Sequence, residues 1–189
     1  MKRIREDLAV LEIPPMACVL PGYGWRPSED EFIKINTDGD INSDAGMAGA
    51  GGVARSTTSF LGAWSKPHPG VTDHVIAEAE SVRDGVVFAR LRGFLHVIME
   101  TDHLEDVNLW KSSHNSFSIV APILLDIGEL AATFTSFDII HVSRSANVHA
   151  HLCAKRAWTL MVTASWLEIV PSFLITSLLA DDSRSALIE

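Results

Sequence analysis

Three acidic residues lie far apart in the sequence, and each adjoins an apolar segment that could form a strand or a helix: Asp38, Glu78 and Asp102. Carboxylates that converge from separate elements repel one another unless a cation neutralises them. Ligand sets made only of oxygen favour the hard cations Mg²⁺ and Mn²⁺. Two such ions about 4 Å apart can activate a water molecule and stabilise the leaving oxygen of a phosphodiester. The three acids are therefore candidate metal ligands for hydrolysis.

The segment KINTDGD, residues 34–40, ends an apolar, β-branched run with two carboxylates around a glycine. Asp and Gly are common where a chain reverses direction between strands, so Asp38, Gly39 and Asp40 are also consistent with a simple turn. The pattern of this segment alone leaves both interpretations open, the turn and the metal ligand.

A helix is predicted from Asp73 to Gly93, where apolar residues recur at the helical period. Glu78 lies beside this apolar stripe, one turn before Val82, and so belongs to the packed side of the helix. Glu80 is rotated from Glu78 by about 200° and is predicted to face solvent. Only Glu78 is therefore placed to join the other two acids.

The histidines His149 and His151 form a pair that could suggest a zinc site. Residues i and i+2 on a helix point in different directions, and no partner ligands stand out elsewhere, which disfavours zinc. We expect His151 to line the acidic site and His149 to point away from it.

The elements that would position these residues have the predicted order β-β-β-α-β-α-α-β-α. The first three strands are expected to form an antiparallel meander, which helical connections join to two further strands. This is an α/β fold with a mixed five-stranded sheet and flanking helices. The predicted strands lie near 32–36, 45–56, 60–66, 94–100 and 137–142, and the predicted helices at 73–93, up to 110, 117–132 and 145–160.

Composition limits the classes of function. The 189 residues include 24 Asp and Glu but only 15 Lys and Arg, giving a formal net charge of −9. This balance argues against binding of nucleic acid by bulk electrostatics, so any such contact must be local. No apolar run reaches the roughly 18 residues of a membrane span, and no signal peptide is evident. With only Cys18 and Cys153, we expect a soluble protein of a reducing compartment.

The chain divides into three predicted parts. Residues 1–30 are rich in Pro and Gly and are predicted to be an arm or linker. Residues 31–160 hold the predicted domain, and residues 161–189 are predicted to be a C-terminal tail. The apolar part of the tail, 166–180, could dock on a partner or on a second copy, while its Asp181 is expected to be solvated. The sequence does not indicate the oligomeric state.

Five segments resemble, in this order and at the expected intervals, the type 1 ribonuclease H-like domains, and most of all their plant, retroelement-related group. None of the five is specific by itself, so the likeness lies in the set, which covers about residues 25–181. The segments are KINTDGD at 34–40, GAGGVARS at 49–56, AEAESVRDGV at 77–86, METD at 99–102 and HVSRSANVHAHLCAKRA at 141–157.

The resemblance implies a ribonuclease H-like five-stranded sheet and a metal-dependent endonuclease that hydrolyses the RNA strand of RNA/DNA hybrids with two Mg²⁺ or Mn²⁺ ions. By position, the first aspartate of the family falls on Asp38, its glutamate on Glu78 and its second aspartate on Asp102. The resemblance further implies substrate contacts at Gly39, where the backbone can come close to nucleic acid, and at Asn147, which could equally cap its helix. A retroelement-related origin suggests the nucleus or the cytoplasm.

Among the departures from the family pattern, two concern the acidic site. The fourth catalytic acid is replaced by His151, which can ligate a metal, brings no negative charge and suits Mn²⁺ better than Mg²⁺. Asp40 replaces the small residue that usually follows Asp-Gly, and so adds a carboxylate to the site. His151 and the low content of basic residues support an alternative hypothesis, a catalytically weakened, retroelement-derived domain that binds nucleic acid or protein without cleaving it.

Overall fold

The computed structural model describes residues 32–112 and 118–185, with side chains up to residue 181. The predicted arm at 1–30 lies outside these described residues. Among the described residues there are six strands, five α-helices and one short 3-10 turn. The strands are β1 (Ile33–Asn42), β2 (Met47–Arg55), β3 (Phe60–Pro69), β4 (His96–Thr101), β5 (Ser136–His141) and β6 (Ala164–Leu167), and the α-helices are α1 (His74–Leu91), α2 (Leu104–Lys111), α3 (Ala121–Ala131), α4 (Val148–Leu160) and α5 (Ser172–Ser185).

The strands form one mixed sheet with the order β5-β4-β1-β2-β3-β6. β1, β2 and β3 are an antiparallel meander, and β1, β4 and β5 are parallel. The mixed α/β fold is therefore confirmed, but the predicted count of five strands is wrong. β6 pairs antiparallel with β3 and belongs to residues 161–189, which were predicted as a tail. Its four residues, ASWL, are too few to give a readable period in the sequence.

The two faces of the sheet are covered by different helices. On one face, α1 and α3 pack over a core that includes Ile35, Val86 and Ile127. On the other face, α4 and α5 pack over a smaller cluster that includes Val53 and Leu174. Burial of each large apolar side chain contributes about 1.5–3 kcal/mol, so both faces stabilise the sheet on which the candidate site depends. In the described ranges, no helix combines the length and apolar character of a membrane span.

Helix α4 lies unusually close to β2 because small residues face each other across this contact. A Cβ atom built on Gly51 would lie 2.3 Å from the backbone nitrogen of Ala154, so only glycine allows this approach. The facing side of α4 consists of fully buried alanines, including Ala150 and Ala157. This packing fixes the start of α4 over the middle of the sheet.

Helix α1 begins with a side-chain cap and ends at a glycine, close to the predicted limits. The carboxylate of Asp73 accepts hydrogen bonds from the backbone N–H groups of Val75 and Ile76, at 2.9 and 3.2 Å. After Leu91 the chain turns at Gly93, whose φ of 71° is a left-handed conformation. The cap fixes where the helix begins, and thereby the position of Glu78, one turn after the first residue of the helix.

The C-terminal residues pack against the domain. Leu174 of α5 is fully buried, and Trp166 of β6 packs against the same cluster, so part of the apolar segment 166–180 is covered by its own chain. The expectation that Asp181 is solvated is wrong, because its carboxylate is buried and lies 3.2 Å from the guanidinium of Arg55.

Candidate metal-binding active site

The sheet and α1 bring the three predicted acids together. Asp38 lies on β1, and Asp102 follows directly after the parallel neighbouring strand β4. Glu78 reaches them from α1, which packs across β1. One carboxylate oxygen from each of the three lies within 4.8 Å of the others. This is a distance at which oxygen ligands can share divalent cations.

Burial and mutual repulsion disfavour the charged forms of two of these acids, Glu78 and Asp38. Glu78 is 3% exposed, and burial, followed by the charges of Asp38 and Asp102, raises its pKa to about 10. Burial is also the main cause that raises the pKa of Asp38, and hydrogen bonding to His151 works against it. A divalent cation would relieve this repulsion. The three ligands are carboxylate oxygens, and little positive charge from the protein balances them. Such a ligand set fits Mg²⁺ or Mn²⁺.

Gly39 allows Glu78 to reach the other acids. Its backbone N–H donates a hydrogen bond to Glu78 Oε2 at 3.1 Å, which orients the carboxylate. A Cβ atom built on Gly39 would lie 2.3 Å from the backbone carbonyl carbon of Ala77, so any larger residue would push α1 away. Glycine is therefore needed here for close packing, and the substrate contact expected of Gly39 stays a prediction.

His151 lies at the site, on the side opposite Glu78. Its Nδ1 is 3.2 Å from Asp38 Oδ2, and it is one helical turn beyond Asn147 on α4. The hydrogen bond to Asp38 raises the pKa of His151, partly offset by burial of the imidazole. The position of the predicted fourth ligand is thus occupied by a group that can either carry a proton or offer a nitrogen to a metal.

Asn147 is a buried residue that orients one of the three acids. Its side chain is 1% exposed, and its amide donates hydrogen bonds to Asp102 Oδ1 at 2.7 Å and to the carbonyl oxygen of Thr37 at 2.9 Å. It makes no side-chain capping bond to α4. The amide of Asn147 therefore orients the carboxylate of Asp102, and the substrate contact expected of Asn147 stays a prediction.

The acids open into a cleft of about 180 Å³. Three of its lining residues were not singled out from the sequence: His74, His103 and Arg144. Arg144 is the one Lys or Arg side chain among these lining residues, and within the described parts no carboxylate forms an ion pair with it. The sequence signals that could have found two of them were position: His103 follows Asp102 directly, and Arg144 lies three residues before Asn147 in the segment 141–157. The full lining set is Asp38, Gly39, Asp40, His74, Glu78, Asp102, His103, Arg144 and His151.

The remaining acidic and histidine residues named above lie elsewhere or at the rim. Asp40 is at the rim of the cleft, where it accepts a hydrogen bond from Trp158 Nε1 at 2.8 Å. Glu80 is half-buried and forms an ion pair with Arg83. His149 is buried beside Asp181 and does not line the cleft.

Comparison with known proteins places this geometry in a family. The profile of the family described as "Reverse transcriptase-like" matches residues 36–157. The chain is 31% identical over 164 residues to the "Putative ribonuclease H protein" of Arabidopsis thaliana, which covers 85% of this chain. The chain spans about a quarter, 26%, of the length of that relative.

Solved structures of ribonucleases H share the fold. Ribonuclease H1 from the archaeon Halobacterium salinarum aligns with a TM-score of 0.60 and 20% identity, over 68% of this chain and 98% of its own. LC11 ribonuclease H1, isolated from compost by a metagenomic approach and solved in complex with an RNA/DNA hybrid, aligns with a TM-score of 0.60 and 19% identity, over 68% and 98%. The resemblance predicted from five sequence segments is thereby confirmed. The chain belongs to the reverse transcriptase-like family of ribonuclease H-like domains.

Proposed function

We propose that this protein is a metal-dependent endonuclease that hydrolyses the RNA strand of RNA/DNA hybrids. The observation that carries the proposal is the convergence of Asp38, Glu78 and Asp102 within 4.8 Å at an open cleft. The pKa of Glu78, raised to about 10, supports it, because carboxylates held this close are stable as anions only with a cation present. Similarity to a ribonuclease H1 solved with a hybrid supports the choice of substrate.

In this proposal Asp38, Glu78 and Asp102 would hold two Mg²⁺ or Mn²⁺ ions. Such ions, when bound, activate a water molecule and stabilise the leaving oxygen. Hydrogen bonds orient two of these carboxylates before any cation is bound. The Gly39 N–H donates to Glu78, and the amide of Asn147 donates to Asp102. Glu78 gives up its proton when a cation is bound, so metal binding releases protons.

Recognition of the substrate is local in this proposal. RNA in a hybrid is distinguished by its wide minor groove and by its 2′-hydroxyl groups. Gly39 and Arg144 both line the cleft, and the Arg144 cation is the group proposed to meet a backbone phosphate. With a net charge of −9, the protein is expected to bind weakly away from this contact.

A cleavage assay on a labelled RNA/DNA hybrid tests the proposal. The wild-type protein is expected to cut the RNA strand in Mg²⁺ or Mn²⁺, leaving 5′-phosphate and 3′-hydroxyl ends, and chelation is expected to stop the reaction. Asp38→Asn removes the central carboxylate with little change in volume and is expected to be inactive. Cleavage that survives in Asp38→Asn, or that is absent at every Mn²⁺ concentration, would contradict the proposal.

The second candidate function is binding without cleavage, in a catalytically weakened domain. It is favoured by His151, which stands in place of an acid and keeps one negative charge out of the site. A gel-shift experiment on the same hybrid separates the two functions. Binding without product at several Mn²⁺ concentrations would favour the second.

A further inference from the structure

We propose that Asp181, on the C-terminal helix α5, is a positioning residue for the candidate active site. It would act through a buried polar network that joins α5 to β1, β4 and the start of α4. The proposal rests on the proposed function for its effect on catalysis, but its structural part can be measured separately. Asp181 lies beyond residues 36–157, which the family profile matches.

The network begins with a buried ion pair. Asp181 Oδ2 lies 3.2 Å from Arg55 Nη1, and the two residues are 6% and 5% exposed. The other terminal nitrogen of Arg55 donates a hydrogen bond to Asn36 Oδ1 at 2.9 Å. The guanidinium thus links the C-terminal helix directly to β1, at a position two residues before Asp38.

From Asn36 the network continues to β4 and to α4. The amide of Asn36 donates to Glu100 Oε2 at 3.0 Å and, more weakly, to the carbonyl oxygen of Ala146 at 3.4 Å. Asn36 and Glu100 lie opposite each other in the parallel register. Side chains two residues apart on a strand share a face, so each of them lies next to a candidate ligand, Asp38 or Asp102.

A second contact of Asp181 reaches α4 itself. His149 Nδ1 lies 3.6 Å from Asp181 Oδ2, and His149 is placed between Asn147, which orients Asp102, and His151, which contacts Asp38. One carboxylate on α5 is therefore next to the helical turn that carries both of these residues. This common contact is the reason for assigning a positioning role to Asp181.

The charges of the network explain why one residue could affect the whole site. Asp181 and Glu100 are its carboxylates, and Arg55 and Lys34 are its cations, with Lys34 Nζ 2.9 Å from Glu100 Oε1. Buried polar networks are strongly cooperative, since each member is held by its neighbours in a medium of low dielectric constant. Loss of the Asp181 charge would remove the carboxylate that lies 3.2 Å from Arg55 and leave Glu100 in place at the other end of the network. Arg55 and Asn36 would then shift towards Glu100, next to the candidate ligands.

Three variants of the full chain separate positioning from stability. Asp181→Asn removes the charge, and Asp181→Glu keeps the charge but moves it by one methylene. Leu174→Ala is the matched control, because it weakens the packing of the same helix without touching the network. Amide hydrogen exchange of residues 146–151 and of 36–40 reports on the site segments, and kcat and KM for hybrid cleavage in Mn²⁺ report on catalysis.

We expect Asp181→Asn to speed exchange in both segments and to lower kcat roughly 10- to 100-fold with KM nearly unchanged, as is typical for groups that orient metal ligands. Leu174→Ala is expected to lower the melting temperature without either local effect. If Asp181→Asn does not fold, Asp181→Glu is expected to show the same local exchange and a several-fold loss of kcat.

Two results would overturn the positioning role. One is an Asp181 variant whose site segments exchange as in the wild type or the Leu174→Ala control. The other is a loss of kcat that follows only the fraction of unfolded protein. If the wild-type protein does not cleave the hybrid at all, the proposed function fails, and the exchange measurements alone decide whether Asp181 positions the site.

Discussion

Among residues 32–112 and 118–181, two clusters of side chains have the geometry to hold a cation, and they differ in their charge balance. The first is the candidate site, and the second lies where β3 meets α1. In the second cluster, Lys66 Nζ is 2.6 Å and His68 Nε2 is 2.8 Å from the carboxylate of Asp84. Burial works to raise the pKa of Asp84, but these two partners outweigh it and lower the pKa overall. The clusters are Asp38, Glu78 and Asp102, and His68, Glu80 and Asp84.

The candidate site has weaker compensation, which comes from two histidines: His151 contacts Asp38, and His74 Nδ1 lies 3.9 Å from Glu78 Oε1. In the described parts of the chain, no Lys or Arg forms an ion pair with its acids, and the pKa values of Asp38 and Glu78 are raised. Close carboxylates are therefore an ambiguous sign of a metal site when considered alone. The informative observation is a cluster of acids that the protein itself leaves short of positive charge.

The largest expected effect is on catalysis. Asp102→Asn removes a charge from the weakly compensated cluster, and we expect a loss of kcat of about 10³-fold, equivalent to roughly 4 kcal/mol of transition-state stabilisation. Asp84→Asn makes the same chemical change in the compensated cluster and is expected to keep kcat within about twofold. Hybrid cleavage rates of the two variants, with circular dichroism as the check on folding, measure this difference. Equal losses in both would remove the distinction between the clusters.

The next effect concerns stability, where the two clusters should respond with opposite signs. In the presence of a chelator at pH 7, Glu78→Gln is expected to raise the free energy of unfolding by about 3 kcal/mol. The reason is that Glu78 is ionised in the unfolded chain and must take up a proton when it is buried, whereas Gln is neutral in both states. Asp84→Asn is expected to lower the free energy of unfolding by about 1–2 kcal/mol, since it breaks charged hydrogen bonds. Denaturant titration measures both.

The pH dependence of these differences sharpens the test. The pKa of Glu78 rises from 4.5 to about 10 on folding. Its favourable contribution to the free energy of unfolding is therefore complete below pH 4.5 and is lost as the pH increases towards 10. The advantage of Glu78→Gln should therefore grow across that window. The pKa of Asp84 is lowered from 3.8, so its contribution is present above about pH 4 and is lost on further acidification. An advantage of Glu78→Gln that is independent of pH would contradict the assignment.

A smaller effect is expected from the histidine at the site. His151→Asp restores a carboxylate next to Asp38, and because Mg²⁺ prefers oxygen ligands, we expect the ratio of the rate in Mg²⁺ to the rate in Mn²⁺ to rise about tenfold. His141→Asp is the matched control, since His141 is exposed and outside the cleft. A wild-type enzyme with equal rates in both metals, unchanged in His151→Asp, would refute a role of His151 in metal preference.

The smallest effect concerns substrate binding. Two arginines can be compared here, because one lies in the cleft and the other is paired with carboxylates. Arg144 lines the cleft, whereas Arg83 forms ion pairs with Glu80 and Asp126. Arg144→Ala is expected to weaken hybrid binding several-fold and to reduce the slope of log affinity against log salt by about 1. Arg83→Ala should leave that slope unchanged. Binding titrations of catalytically inactive protein between low and moderate salt give both slopes.

The candidate site was largely predictable because its signals are local. Asp38 follows a β-branched run, Asp102 follows another, and Glu78 lies on the apolar stripe of a helix. Parallel pairing of the two strands then brings the acids together. The sequence could not show that Asn147 orients Asp102, because that contact depends on where α4 starts relative to β4.

The C-terminal part was predicted poorly, for a physical reason. Asp181 is buried beside Arg55, which lies 126 residues earlier in the chain. An arginine in an otherwise apolar strand indicates that a buried cation needs an anion, but not which one. β6 is likewise defined by its partner β3 rather than by its own four residues.

The contact between Gly39 and Ala77 has a consequence for the evolution of such domains. Because a Cβ at position 39 would overlap the carbonyl of Ala77, one point mutation could displace α1 and carry Glu78 out of reach. All the acids would remain in the gene. Relatives that keep every carboxylate but lose this glycine are therefore expected to be pseudoenzymes, and an inventory of acidic residues alone would misclassify them.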